Sequence, residues 1–515
     1  MRYILSPRQA RELDARIINA YHTPGIVLME HAAAAVVAAV LPLCHQQARE
    51  NKKGRVCVFC GGGNNGGDGL AVLRQLGMRG VGAFAILFEA PEDLRGDAKT
   101  QYDMAIAHGL DIIVCTTEET VRAVDLSQAF VYVDALFGTG LSRPIQGRYA
   151  TAIGRMNEAG APIVAVDIPS GIDGQNGHAL GLAVKADVTV TFQHKKLGHL
   201  LLPGRAHCGA LTVAPLCPPV DTPFAAHELQ REDTQRLLPP RAIDAHKGTN
   251  GRALLCAGST HYTGAALLCG DAALCAGAGL LHVALPRAVS GVYAACPQAI
   301  CHPVGNGSEW DMQAARDAIP LFEKMDAFAI GPGMGAYTEA SGIPMLLTHA
   351  LQTKKPLVID ADGLNVLAKT EQLKVLLHHN TILTPHFGEM ARLLGCAIDA
   401  VADDPVSAAK QAANQFGCVV LLKGATTVIA QGGQTCLNVT GNPGLAKGGS
   451  GDVLTGIILA LLAQKLLVYD AARVGAYLLG TAADEALSLL QTRALNAVSV
   501  MDALHLVMRE EESIE

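Results

Sequence analysis

Residues 61–69 read GGGNNGGDG, between a strand-like run and a helix-like one. Gly61, Gly63 and Gly66 satisfy G-x-G-x-x-G, and Glu89 follows Gly66 by 23 residues, the formal dinucleotide fingerprint. Backbone amides of such a turn, at a helix N-terminus, would bind a phosphate or pyrophosphate. Asp68 inside the turn is a poor neighbour for phosphate unless the loop also orients polar ligand groups or a cation. Two later strands end in polar loops, VYVDALFGTGLSRP (131–144) and VAVDIPSGIDG (164–174). They place Asp134, Asp167 and Ser170 at the carboxyl ends of strands, where open α/β sheets bind ligands. Asn65, Asp134 and Ser170 together offer oxygens that suit a hard monovalent or divalent cation.

The second half carries five ordered signals: HKGTNGRALLCAGSTHYTGAALLCGDAAL (246–274), AIGPGMG (329–335), DADGLN (360–365), TPHFGEM (384–390), and KGATT (423–427) before GNPGLAKGGSGDVLTGIILAL (441–461). Gly448, Gly449, Ser450 and Gly451 make a flexible turn, with Asp452 opening a helix. Amides at a positive helix end stabilise an anion. A carboxylate beside them can take a proton from a hydroxyl while they hold a phosphoryl group. That is the construction of a phosphoryl-transfer site. Taken alone, Asp452 would read as an N-cap. There is no G-x-x-x-x-G-K-[ST], so this is not a P-loop ATPase.

The elements that must position these residues come in two blocks. In the first, strands are expected at Val56–Phe59, Val81–Leu87, Phe130–Asp134, Ile163–Asp167 and Val188–Phe192, helices at 68–78, 98–108 and 147–159, and helical structure over 1–45. The alternation argues a parallel sheet covered on both faces. LCPPVDTP (216–223) and Pro239–Pro240 mark a boundary. The alternation then resumes, with strands at Arg252–Cys256, Leu281–Ala284, Ala327–Ile330, Leu357–Asp360, Thr381–Thr384, Val419–Lys423 and Thr427–Ala430. The fold class is α/β with two domains.

The 515 residues are 50% hydrophobic and 17% charged, which excludes disorder as the main state. A net charge of −7 with no basic stripe argues against nucleic acid. The runs Ala32–Val40, stopped by Pro42, and Gly456–Ala463 fall short of the roughly 18 residues a span needs, so no membrane is expected. MRYILSPRQARELD has no apolar signal core. With 14 cysteines scattered in apolar segments, a cytoplasmic location is expected. Cys57 and Cys60 form a C-x-x-C, read as part of a buried strand because no second pair or zinc-spaced His accompanies it.

GNNGGDG, VDALFGTGL, VDIPSGIDG and the TFxxxKxG formed by Thr191, Phe192, Lys196 and Gly198 resemble the NAD(P)H-hydrate epimerase domain of the bifunctional NAD(P)H-hydrate repair family. The resemblance implies a Rossmann-like three-layer αβα domain over 1–217 that equilibrates the R and S epimers of hydrated NADH or NADPH at C6. It implies substrate contacts from Asn64, Asn65, Gly66, Gly67 and Asp68, from Gly138, Thr139, Gly140, Leu141, Ser142, Arg143 and Pro144, and from Asp167. Potassium would sit on Asn65, Asp134 and Ser170. Asp167 is the candidate acid/base, and Lys196 a second candidate that could equally be a solvated surface lysine. GGSGD resembles the ribokinase-like group, and the full second set resembles its NAD(P)H-hydrate dehydratase members. That implies a ribokinase-like αβα domain over 225–508 that dehydrates the S epimer through phosphorylation of its 6-hydroxyl. Lys423, Gly424, Ala425, Thr426, Thr427 and Gly451 would hold the nucleotide. Ala265, Gly333, Gly335, His386 and Asp452 would face the hydrated nicotinamide, with Asp452 as base and Asp362 and Asn365 in support. The epimerase-first order suggests ADP as co-substrate, accompanied by Mg2+. A homo-oligomer is expected. The competing readings are a hydride-transferring oxidoreductase, a ribokinase-like small-molecule kinase with a fused ligand-binding domain, and a first domain that only binds.

Overall fold

A computed structural model describes residues 2–50, 52–238, 240–335 and 340–511. The chain divides into two compact units between Ala226 and His227.

The first unit, Tyr3–Ala226, is built on a seven-stranded parallel sheet. Its order is Ile112–Val114, Ala83–Leu87, Arg55–Cys60, Ala129–Ala135, Ile163–Val166, Val188–Phe192 and Ala210–Ala214. Chain order reverses between Arg55–Cys60 and Ala129–Ala135, so the crevice at the carboxyl ends of those two strands is the topological switch point. Parallel strands covered on both faces read as continuous apolar runs. In RVCVFC, Val56, Val58 and Cys60 pack on one side, and Cys57 and Phe59 on the other. The C-x-x-C is thus a buried strand segment, as expected, and burial pushes both thiols up.

The helices differ from expectation mainly at their starts. The helix after the first glycine loop spans Asn64–Met78, not 68–78, and the others span Gly96–Ala107 and Gly147–Glu158. Residues 1–45 are not simply helical. A strand, Arg2–Leu5, pairs with Lys195–Lys196, and the helix Pro7–Ala20 follows, its start closed by a Ser6–Gln9 capping box. Pro42 does not stop the apolar run. It lies inside the helix Gly25–Arg49, whose best window has a mean hydropathy of 2.1. That helix is long and apolar enough to cross a membrane by length and composition. Its Ala33, Val36, Val37 and Val40 pack into the core beside the sheet. Pro42 and Ala38, whose carbonyl loses its partner there, both lie on the exposed face, so the missing bond is replaced by solvent.

The second unit begins at His227. Seven parallel strands run in the order Ile300–Val304, Leu280–Pro286, Arg252–Cys256, Ala327–Ile330, Leu357–Ile359, Thr381–Leu383 and Val419–Leu422. An antiparallel hairpin, Thr427–Gln431 and Gln434–Asn438, continues the sheet. The reversal falls between Arg252–Cys256 and Ala327–Ile330. Behind the sheet lies Ser450–Ala463, a helix apolar all round and buried from Val453 to Ala463, as a core helix must be. Gly456 lets it approach Thr263–Cys275: a Cβ there would come 2.1 Å from the Cys269 carbonyl oxygen.

Candidate functional site

In the first unit the polar loops meet at the switch point. Asp167 ends its strand with φ 66°, a left-handed conformation that Asp tolerates better than most residues. Its backbone is pinned on both sides, the N–H donating to Val190 O at 2.8 Å and the carbonyl accepting from His199 Nε2 at 2.8 Å. His199 Nδ1 accepts from the Lys196 N–H at 2.9 Å, so the imidazole is the neutral tautomer protonated on Nε2. Burial and the Lys196 charge push its pKa down to about 4, in keeping with that state.

Lys196 is no surface lysine. It is 4% exposed, and its ammonium donates to Asp167 Oδ1 at 2.6 Å and to Thr191 Oγ1 at 2.8 Å. Burial would raise the Asp167 carboxyl, but Lys196 outweighs it and holds the group below the usual carboxylate range. The other oxygen, Oδ2, lies 3.5 Å from where a Cβ on Gly138 would stand, and Asn65 Oδ1 lies 3.2 Å from the same point. The Asn65 Nδ2 is buried without a partner, a donor left for a ligand. Asn64 and Gly140 are exposed, Gly66 and Gly67 buried, and Asp68, Gly138, Thr139 and Leu141 half-buried. Ser142, Arg143 and Pro144 sit exposed on the outer part of their loop.

Asp134 and Ser170, both expected cation ligands, bond to each other. Ser170 donates through Oγ to Asp134 Oδ1 at 2.6 Å and through its N–H to Oδ2 at 2.8 Å. Burial pushes Asp134 up to about 6, and the groups that act against it are hydrogen bonds rather than a cationic side chain. A buried carboxylate in that position fits a bound cation, and Asn65 Oδ1 and Ser170 Oγ add oxygens of the right hardness. Asn65 itself is not bonded to either residue.

One neighbour escaped the sequence reading. Asp14, on the helix Pro7–Ala20, interacts electrostatically with Lys196 and Asp167, and its pKa is pushed up to about 6, chiefly by burial. Arg11, one turn earlier, donates to Thr139 O at 3.3 Å. Asp68 is also driven up by burial and by Asp167 and Asp14. Three carboxyls and one ammonium therefore share this crevice.

In the second unit the strand ends gather Asp360, His386, Glu389 and Lys423 under the start of Ser450–Ala463. The helix begins two residues before Asp452, with Gly449 (φ 97°) as its N-cap. Asp452 is thus in the first turn rather than the cap. Lys423 Nζ is 3.5 Å from where a Cβ on Gly451 would be, so a cation lies directly beneath the turn amides. It donates to Asp360 Oδ1 at 2.8 Å and lies 3.9 Å from Glu389 Oε2. Burial opposes its charge, but Asp360 and Glu389 prevail and keep the ammonium above the usual lysine value. Asp360 is 1% exposed and also accepts from Thr455 Oγ1 at 2.8 Å. Asp360, Glu389 and Thr455 were not singled out in the sequence. Asp360 lay within the quoted DADGLN, but Thr455 had no signal beyond an apolar helix.

Asp452 is half-buried, and burial, with Asp360 next, pushes it up to about 6. A raised carboxyl pKa leaves the protonated form populated to higher pH. If Asp452 is a base, turnover in the second unit should fall as pH drops through about 6 and be flat above; a flat profile down to pH 5 would exclude that role.

His386 caps a helix. Its Nδ1 accepts from the Gly388 N–H at 3.0 Å, while Glu389 Oε2 accepts from its backbone N–H at 2.8 Å. The residue stays exposed, with Nε2 3.6 Å from Glu389 Oε1. Gly333 (φ 60°) lies against Ala265, 2.8 Å from its Cβ if it carried one. Asp362 accepts from the Gly335 N–H at 2.9 Å and from Asn365 Nδ2 at 3.4 Å, so this one acid and two amides shape the turn. Next to it the buried Ser259 hydroxyl has no partner. Thr426 is buried, and Thr427 opens the hairpin.

Residues 253–505 match the family model described as NAD(P)H-hydrate dehydratase, and 25–198 the one described as YjeF-related protein N-terminus. The chain is 39% identical to the bifunctional NAD(P)H-hydrate repair enzyme of Moorella thermoacetica, over 100% of this chain and 98% of that protein. It is 36% identical to the enzyme of the same name from Escherichia coli, over 88% and 85%. Among solved structures, the ADP/ATP-dependent NAD(P)H-hydrate dehydratase of Bacillus subtilis, co-crystallised with ATP/Mg2+, matches at 33% identity, with a TM-score of 0.50 over 56% of this chain and 99% of that one. A ribokinase-like protein from Enterococcus faecalis, at 24% identity with a TM-score of 0.51 over 57% of this chain and 99% of that one, shares the fold.

Proposed function

The chain belongs to the family of bifunctional NAD(P)H-hydrate repair enzymes, and from that premise we propose that its two units repair hydrated nicotinamide dinucleotides in sequence. The first unit, bounded at 1–217, epimerises the R and S hydrates. The second, at 225–508, dehydrates the S form with ADP as co-substrate and Mg2+ accompanying the nucleotide, releasing AMP and phosphate. The observation that carries the reading is the pair of crevices at the two switch points, each holding a carboxylate beside glycine-rich amides.

In the epimerase, Asp167 Oδ2 exchanges a proton with the C6 hydroxyl. As Oδ2 takes the hydroxyl proton, the C6–N bond breaks to an aldehyde and that proton passes to the ring nitrogen. The nitrogen then re-adds to the other face of the carbonyl and the proton returns to oxygen, leaving Asp167 ionised as it began. Lys196 keeps Asp167 charged between turnovers, and Asn65 Nδ2 orients the substrate. Potassium, held by Asn65, Asp134 and Ser170, would supply the positive charge that Asp134 lacks. Replacing Asp134 with Ala should therefore weaken the potassium dependence and slow epimerisation without touching dehydration; an unchanged potassium titration would exclude the cation assignment.

In the dehydratase, Asp452 accepts the 6-hydroxyl proton as that oxygen attacks the phosphoryl group. Turn amides through Gly451, with Lys423 beneath, hold the developing charge. Gly424, Ala425, Thr426 and Thr427 line the nucleotide side; Ala265, Gly333, Gly335 and His386 line the nicotinamide side. Phosphate then departs where hydroxide would not, as the ring nitrogen pushes in, and loss of a C5 proton from the resulting C6=N cation to the departing phosphate restores NADH or NADPH. We place the enzyme in the cytoplasm as a homo-oligomer. The test is incubation with an R/S mixture of hydrated NADH, ADP and K+. Full recovery of NADH absorbance with stoichiometric free phosphate is expected. A stable phosphorylated product would instead identify a small-molecule kinase.

A further inference from the structure

Glu89, the acid that completes the dinucleotide fingerprint, stands two residues beyond the strand Ala83–Leu87 and presses on the first glycine loop. A Cβ on Gly62 would come 2.3 Å from its Cγ. From Glu89's strand to Asp167's there are three strand spacings of about 4.8 Å, roughly 14 Å across the sheet. The pyrophosphate-type loop lies between them. A dinucleotide with its nicotinamide at Asp167 and its pyrophosphate on that loop puts its adenosine ribose at Glu89.

Glu89 is not alone there. Arg148, in the first turn of Gly147–Glu158, donates through Nη2 to Glu89 Oε1 at 2.8 Å, and Tyr149 Oη donates to the same oxygen at 2.6 Å. Burial and then Glu89 push the Tyr149 phenol up to about 12, so it remains a donor. Both bonds fall on Oε1 and leave Oε2 for a ligand. Arg148 Nη1 donates to Thr116 O at 3.0 Å and its Nε is buried without a partner, while the side chains of the pair remain 28% and 32% exposed. An ion pair built only for stability would have no reason to leave the Glu89 Oε2 acceptor idle beside the glycine loop.

We infer that Glu89 and Arg148 form the site for the 2′ position of the adenosine ribose, and that together they admit both hydrated NADH and hydrated NADPH. Glu89 Oε2 accepts from the ribose hydroxyls of the first. With the second, the 2′-phosphate is repelled by Glu89 and held by the Arg148 guanidinium, whose planar fork suits phosphate. This rests on the epimerase reading given above.

The test is kcat/KM of the full chain for the R hydrates of NADH and NADPH. Nucleotide is omitted so that the dehydratase is silent, and the R/S ratio is followed by chromatography. Arg148→Ala should lower the NADPH-hydrate value at least about ten-fold more than the NADH-hydrate value, as one charge-assisted phosphate contact would. Glu89→Gln should move the ratio the other way, and Arg148→Lys, which keeps the charge but loses the fork, should retain only part of the phosphate selectivity. Adenosine 2′,5′-bisphosphate should inhibit wild type better than the Arg148→Ala protein. Equal changes for both substrates in the Ala and Gln variants, or none, would overturn the assignment. Should Arg148→Ala fail to fold, Glu89→Gln and Arg148→Lys decide it. If wild type epimerises neither hydrate, the reading of the whole unit fails, which is a different result.

Discussion

Asp452→Asn is expected to lower recovery of NADH from the S hydrate by about 10²–10⁴, the usual loss when a general base is removed. The substitution keeps the shape of the side chain and its place in the first turn of the helix. It removes the proton acceptor. Nucleotide affinity should change little, because the turn amides and Lys423 remain, and Lys423 keeps its partners Asp360 and Glu389. Epimerisation, carried by other residues, should be untouched. The variant should also lose any acidic limb near pH 6, because that limb belongs to Asp452. Near-native NADH recovery from Asp452→Asn would reduce the residue to a helix-start carboxylate and overturn the dehydration mechanism.

Lys196→Met should have the largest effect on the first unit. The side chains of Lys196 and Asp167 are 5% and 14% exposed. Removing one partner of a buried pair leaves the other charge uncompensated, at a cost of about 3–5 kcal/mol. Asp167 then relieves the penalty by taking up a proton, because burial alone raises its carboxyl pKa. Two consequences separate this from a simple packing loss. Epimerisation should fall strongly at neutral pH and recover in part as pH rises and Asp167 ionises. Dehydration of the pure S hydrate should survive wherever the variant is folded. Thermal unfolding and the pH–rate profile would check both. An unshifted profile would mean that Lys196 acts through packing alone.

Much of this was legible before any coordinates, for a physical reason. A parallel sheet delivers its ligands to the carboxyl ends of its strands, so acids followed by glycine turns announce themselves in the sequence. Asp134, Asp167 and the glycine loops were found that way, and Asp452 from the glycine turn that precedes its helix. Boundaries slipped by a few residues where the polar end of a strand bends off the sheet, as at Asp167. Strands that read short or polar, such as Ile112–Val114 and Gln434–Asn438, went unnoticed. Asp14 was out of reach because its approach to Lys196 is purely tertiary: helix Pro7–Ala20 arrives there through the pairing of Leu5 with Lys196. The burial of Lys196 was equally hidden, since a lysine in KKLGH carries no local mark of its surroundings. Thr455 was masked by its setting in a wholly apolar helix. Pro42 misled because the carbonyl it leaves unpaired lies on the exposed face, where solvent lowers the cost of a proline inside a helix.

The helix that begins at Gly449 has one more consequence. Its first turn is the one proposed to hold the phosphoryl group, while every residue from Val453 onward is buried in the core. The proposed grip is therefore anchored at one end only: the half-buried residues 449–452 continue directly into the part of the second unit hardest to open.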